Sequence, residues 1–328
     1  MSPPCSGVLV RGIAGLLRWI LRRLQSQRTR VGPFGRAALG VLFLPPFGTL
    51  LVFAHIMTRL GRPIRVWTHD SFGHKLFCEL PDLVQLYVYA FGQWEPDVSD
   101  YIRRRLQHGG TFIDVGAHMG YFSVLASQAV DSHGRVIAIE PSPRMYKRLL
   151  ENLQSNSATS NVRAVNMAVS NEAATVSLYS GPHHNLGLST LVERRGFPKV
   201  AEVGAQPLLE LISAEELADA NIVKIDVEGG EDTIIENLHD FLEQCPPRAV
   251  IVLELSPQWW AETGKTPEDV LQPFYQAGFH AYEIDNNYWP WRYMWPHDVV
   301  APQRIRRRLN KSVRRIDLVL SREDVEQL

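Results

Sequence analysis

Residues 111–126, TFIDVGAHMGYFSVLA, set the strongest limit on what this chain can fold into. The stretch opens with apolar residues, turns at two glycines and continues with apolar residues at helical spacing. That pattern is a buried strand passing into a helix through a tight turn. Further apolar runs rich in β-branched residues follow it: RVIAIE, NVRAVNMAV, NIVKIDVEG and AVIVLEL, then FHAYEI and IDLVLS. Helical patterns such as PRMYKRLLENLQ and EDTIIENLHDFLEQ lie between several of them. Strand alternating with helix predicts a parallel sheet covered on both faces.

In an open α/β sheet, ligands sit beyond the carboxyl ends of the strands, near the point where strand order reverses. Asp114 to Gly120 is such an end. A dinucleotide site would carry Gly-x-Gly-x-x-Gly. Here Gly116-Ala117-His118-Met119-Gly120 places His118 where the second glycine would let a pyrophosphate approach. The spacing argues against NAD or FAD and favours a smaller cofactor with a carboxylate near the helix start. The next strand ends at Glu140, twenty residues after Gly120, where a carboxylate can accept from both hydroxyls of a ribose. Asp114 ends the first strand and can face an amine. Ribose, ammonium and carboxylate together suit S-adenosylmethionine.

Charge is divided unevenly along the chain. The whole is an ordinary globular composition, 45% hydrophobic and 21% charged with a net charge of -1, and gives no sign of a polyanionic partner. Residues 1–69 nevertheless hold ten arginines and no acid, leaving 24 basic against 35 acidic residues for the rest. Such asymmetry suggests a segment that meets a membrane or another anionic surface. Residues 7–24, GVLVRGIAGLLRWILRRL, read as a basic amphipathic helix. In it Val8, Leu9, Ile13, Leu16, Leu17, Ile20, Leu21 and Leu24 are set against Arg11, Arg18, Arg22 and Arg23. Ala37 to Thr58 then runs 22 residues without a charged side chain. Pro45-Pro46 is expected to divide that run into pieces of eight and twelve, each short of the roughly 20 residues a span requires. The expectation is therefore a peripheral or monotopic membrane contact through residues 7–58, on the cytoplasmic face, with a buried helix pair as the alternative. The apolar run starts too far from the N-terminus for a secretory signal. Cys5, Cys78 and Cys245 are scattered and form no C-x-x-C pair, which suits a reducing compartment. The chain thus divides into a helical segment 1–69 and a larger domain 70–328. The latter carries an insert at 285–315 with Tyr288, Trp289, Trp291, Tyr293 and Trp295, followed by RIRRRLNKSVRR.

The stretches FIDVGAHMGYFSVLAS, GRVIAIEPSPRMYKRLLENL, NVRAVNMAVSN, LGLSTL and above all IVKIDVEGGEDTII resemble the FkbM family of S-adenosylmethionine-dependent methyltransferases. The resemblance covers roughly residues 85–256. The first stretch marks the wider class I methyltransferases; Lys224 to Glu231 is the specific part. Membership implies a Rossmann-like α/β fold: a seven-stranded, mostly parallel sheet with helices on both faces and an antiparallel last strand, here Ile316 to Ser321. It implies methyl transfer, usually to a hydroxyl of a sugar, a polyketide or a related natural product. By the same resemblance Asp114, Gly116, Ala117, His118 and Gly120 frame the methionine part of the cofactor. Glu140 holds its ribose, and Asn166 to Ala168 border its adenine. His118 stands in place of the asparagine common in DVGANxG.

A hydroxyl is a weak nucleophile, so a general base is expected. Asp226, Glu228 and Glu231 lie at the end of the fourth strand and in the following turn, where they can face the methyl group. Glu231 equally suits a helix start, where a negative charge is favourable. His183 and His184, in the loop GPHHNLGLST that ends near Ser189, are the other base candidates. Glu254 either lines the same cavity or pairs locally. The insert, Trp289 included, suits stacking on sugar rings, a lipid headgroup layer, or an aromatic minicore. No metal ligand set stands out, and the acidic balance of the larger domain argues against nucleic acid. A nucleotide-dependent oxidoreductase and a non-catalytic cofactor-binding scaffold are the competing readings.

Overall fold

The computed structural model describes residues 5–106, 110–130, 134–181, 189–191, 193, 197–227, 230, 234–235, 238–259, 264–294, 299–309 and 313–328. They form two compact units. The described residues of the first are 5–96 and 287–294; the others belong to the second.

In the first unit, α1 (Cys5–Gln27) packs along α2 (Pro33–Arg59), and a two-stranded antiparallel sheet of β1 (Ile64–His69) and β2 (Lys75–Leu80) leads to α3 (Leu83–Phe91). The amphipathic pattern makes α1 a helix, and two of its arginines are turned onto the backbone of α3. Arg18 Nε donates to the carbonyl of Tyr89 (3.2 Å) and Arg22 Nη2 to that of Val88 (3.2 Å). Both carbonyls lie in the last turn of α3, where the helix dipole is negative. Burial, with Arg18 close by, lowers the Arg22 guanidinium to about 10. Arg28 Nη1 and Gln25 Nε2 converge on the carbonyl of Tyr293 (2.7 and 3.1 Å). Arg18 and Arg22 are therefore engaged by backbone, while Val8, Leu9, Leu16 and Trp19 are turned outwards.

The expected division of the second apolar run does not occur: α2 is continuous, with Pro45 and Pro46 inside it. A proline removes one helical hydrogen bond and crowds the preceding turn. Here Phe43 and Phe47, one turn apart, both pack on the ring of Phe91 (5.4 and 5.5 Å), so one aromatic side chain holds the helix on both sides of the prolines. By length and composition, Phe34–Arg59 is long and apolar enough to cross a membrane. The insert supplies part of this core. Tyr293 is fully buried, 4.7 Å from the Tyr87 ring and 5.1 Å from Phe91. Tyr288 rests on Trp94 (4.7 Å) and its hydroxyl donates to Glu95 Oε1 (2.6 Å).

The second unit opens at Asp97, within α4 (Pro96–Arg105). Its main sheet contains β3 (Thr111–Val115), β4 (Arg135–Ile139), β5 (Val162–Val165), β10 (Ala220–Ile225), β11 (Val250–Leu255), β12 (His280–Glu283), β13 (Gln303–Arg304) and β14 (Ile316–Ser321). The order is β5-β4-β3-β10-β11-β14-β12-β13. The first five are parallel, and β14 runs antiparallel between β11 and β12. The seven strands and the reversed last one match expectation; the two-residue β13 extends the edge to eight. Helices α5 (Tyr121–Ala129) and α6 (Pro143–Ser155) follow β3 and β4. Every residue of β3 is buried, and Ile113, Ile137, Val223 and Ile251 carry one continuous core across four strands. Such two-sided burial is why these strands read as unbroken apolar runs.

One run that reads as a single strand is split. NVRAVNMAV gives β5 and then β6 (Ala168–Val169), which belongs to a separate four-stranded sheet with β7 (Ala174–Ser180), β8 (Ser189–Thr190) and β9 (Lys199–Gln206). Asn166 makes the break: its Nδ2 donates to the carbonyls of Glu140 and Pro141 (2.8 and 3.1 Å).

Candidate active site

Strand order reverses between β3 and β10, and the loop after β3 is built to let their ends meet. Gly116 has φ +85°, and a Cβ there would stand 1.9 Å from the carbonyl oxygen of Asp226. No residue with a side chain fits. The N–H groups of Gly116 and Ala117 both donate to the Ile139 carbonyl (2.9 and 3.0 Å), and Asp226 N–H donates to that of Val115 (3.0 Å). Three strand ends are thereby tied together. His118 also lies in the left-handed region, φ +52°. Asparagine and histidine are among the non-glycine residues most often found there, which accounts for histidine in place of the usual asparagine. Asn152 Nδ2 donates to the Met119 carbonyl (2.8 Å) and holds the rest of the loop.

This loop delivers the His118 N–H to Glu140 Oε2 (2.7 Å), while Ser142 N–H donates to Oε1 (2.7 Å). Glu140 is buried, and burial pushes its carboxyl up to about 7 despite these two bonds. An ionised carboxylate offers about four lone-pair positions. Two are used here, so capacity remains for two more donors, as a ribose diol provides. Asp114 accepts from Ser123 Oγ through Oδ2 (2.6 Å), but its Oδ1 is buried without a hydrogen-bond partner among the described residues. Burial raises the Asp114 pKa, with Lys224 opposing. An unsatisfied buried oxygen of this kind costs about 1–3 kcal/mol, a cost that a bound ammonium relieves. These acceptors suit the ribose hydroxyls at one end of S-adenosylmethionine and its ammonium at the other.

Lys224 and Asp226 are two residues apart at the end of β10, and strand periodicity brings them to one face. Lys224 Nζ lies 2.7 Å from Asp226 Oδ2 and 5.0 Å from the centre of the Phe122 ring. Across the ladder, Lys224 is the register partner of Asp114. Asp114, Lys224 and Asp226 therefore form one charged group at the strand reversal. Lys224 falls inside the family-specific stretch without a role of its own, and nothing in the sequence marks Ser123. The available signal for Lys224 was a charged residue inside an apolar parallel strand, which requires a partner.

The other candidates fall out as follows. Asn166 is engaged by the backbone at Glu140, and Ala168 is buried in β6. Glu254 pairs locally, accepting from Ser256 Oγ (3.2 Å) and facing Arg315 Nη1 (3.9 Å). Trp289 is two-thirds exposed, on the part of the insert that belongs to the first unit. Ser189 opens β8, although its side chain lies outside what is described. His183, His184, Glu228 and Glu231 also lie outside the described residues.

The sequence matches the family described as the methyltransferase FkbM domain over residues 114–281, the interval that holds Asp114, Glu140, Lys224 and Asp226. The chain belongs to the FkbM methyltransferase family. Its cofactor is S-adenosylmethionine, and the oxidoreductase reading falls away. This FkbM-family methyltransferase is 24% identical over 188 residues to the hexuronic acid methyltransferase AglP of Haloferax volcanii, covering 56% of this chain and 69% of that protein. It is 32% identical over 136 residues to the methyltransferase sdnD of Sordaria araneosa, covering 41% of this chain and about half of the relative (48%). Among solved structures, the O-methyltransferase TomG from Streptomyces achromogenes aligns at 16% identity and a TM-score of 0.36, over 60% of this chain and 75% of TomG.

Proposed function

We propose that this FkbM-family methyltransferase methylates a hydroxyl oxygen of a sugar, a glycolipid or another natural product at the carboxyl ends of β3 and β10. The observation that carries the reading is the group formed by Asp114, Lys224 and Asp226 at the strand reversal, beside Glu140. S-adenosylmethionine, when bound, supplies a methyl group on a sulfonium leaving group. Glu140 accepts from the ribose hydroxyls and Asp114 Oδ1 from the ammonium. Gly116, Ala117, His118 and Gly120 frame the methionine portion, and Asn166 and Ala168 border the adenine.

Asp226 takes the proton of the acceptor hydroxyl, with its carboxylate oriented by Lys224. The sequence's alternative bases are Glu228 and His183, and its candidates for the acceptor are Ser189, Glu231 and Trp289. The hexuronic acid in the name of the Haloferax volcanii protein favours a saccharide acceptor. The acid-free first 69 residues favour one presented at the inner face of a membrane, with contact through residues 7–58.

Incubation with S-adenosylmethionine labelled in its methyl group, followed by mass spectrometry of lipid and saccharide fractions, tests the assignment. A methyl ether on a saccharide or lipid-linked product is expected. Label in protein or nucleic acid alone refutes the acceptor class. Cofactor binding with no turnover on any fraction returns the protein to the scaffold reading.

A further inference from the structure

The membrane contact just proposed leaves open whether α2 crosses the bilayer. We propose that α1 and α2 both lie flat in one anionic leaflet, each inserted by an outward apolar stripe, and that neither spans it. The inference rests on that membrane reading and deepens it.

Both helices carry apolar residues on the side turned away from the unit, interspersed on α1 with the exposed Arg11 and Arg23. On α1, Val8, Leu16 and Trp19 are each about 60% exposed or more; on α2, Val41, Val52 and Ile56 are each half exposed or more. The opposite side of α2 is buried along the middle of the helix, at Phe43, Phe47, Leu50, Ala54 and Met57. Those residues meet the protein: Phe43 and Phe47 pack on Phe91 of α3, and Thr58 Oγ1 donates to the Leu80 carbonyl of β2 (3.3 Å). In a spanning orientation this middle stretch would sit in hydrocarbon together with its neighbours. One neighbour is the last turn of α3, which holds Phe91 and the carbonyls bonded by Arg18 and Arg22. Charged side chains are costly in the hydrocarbon core. A helix covered along one flank and bare along the other is suited to the interface plane.

Charge selects the occupant. Arg30 precedes α2, and Arg59 and Arg62 lie at its end; all three are exposed, with no acid anywhere in residues 1–69. Such ends attract anionic headgroups. A second copy of the same surface would set arginine against arginine, so a bilayer fits and a homodimer does not.

The test uses the whole chain with Cys5→Ser and one added cysteine, Arg30→Cys or Leu60→Cys, at either end of α2. Sealed inverted membrane vesicles from cells expressing each variant are treated with an impermeant maleimide; Cys78 and Cys245 are buried. Both positions should label from the cytoplasmic side. Labelling of only one overturns the flat orientation while keeping the membrane contact. Separately, Leu16→Glu and Val52→Glu should each reduce sedimentation with phosphatidylglycerol vesicles by roughly tenfold. No sedimentation of the unaltered chain, or a stable dimer in its place, overturns both membrane statements. S-adenosylmethionine binding, measured on the same preparations, reports the methyl-transfer reading independently.

Discussion

Replacing Glu140 with alanine separates two consequences of one buried carboxylate. Burial raises its pKa from an ordinary 4.5 to about 7, equivalent to about 3 kcal/mol of preference for the protonated form. A carboxyl whose folded pKa is raised contributes stability that is complete below the unfolded value and is lost as pH rises through the folded one. The cofactor-free protein should therefore lose up to about 3 kcal/mol between pH 4.5 and pH 8 relative to Glu140→Ala, which lacks the titrating group. Cofactor binding should run the other way. Ribose hydroxyls donate to the ionised form, so affinity should rise about tenfold from pH 6 to pH 8 as Glu140 gives up its proton. At pH 8 the variant should bind at least about tenfold more weakly, since hydrogen bonds to a charged group contribute roughly 1.5–3 kcal/mol each. Urea unfolding at several pH values measures the first effect, and calorimetric titration with S-adenosylmethionine the second. The same pH profile in both proteins, or unchanged affinity in a folded variant, would refute the argument.

Asp226→Asn preserves shape and removes the proposed base; kcat should fall on the order of 10²-fold with cofactor affinity maintained in calorimetry. Untouched turnover would move the role to Glu228 or His183. Gly116→Ala places a Cβ 1.9 Å from the Asp226 carbonyl at φ +85°, and should cost about 2–4 kcal/mol in urea unfolding with loss of cofactor binding. Arg22→Ala removes donors to the carbonyls of Val88 and His69, and a loss of about 2 kcal/mol is expected; a thermal midpoint equal to that of the unaltered chain would show that α1 is held by its apolar contacts alone.

The local sequence determined the parallel sheet, the glycine turn and the carboxylate at the end of the second strand. Each depends on short-range periodicity: apolar runs buried on both faces, glycines where φ is positive, and an acid at a strand end. Tertiary structure decided the rest. Which face of α1 points outwards depends on carbonyls of α3 that lie 66 and 71 residues away from Arg22 and Arg18. The helix α2 runs through two prolines with Phe91 packed on Phe43 and Phe47 at either side of them, a contact that nothing near Pro45 announces. Lys224 meets Asp114 only because β10 lies beside β3 in one register. In each case the deciding energy is a contact between residues far apart in the chain. Local pattern reports what each residue prefers, but only the fold supplies the partner.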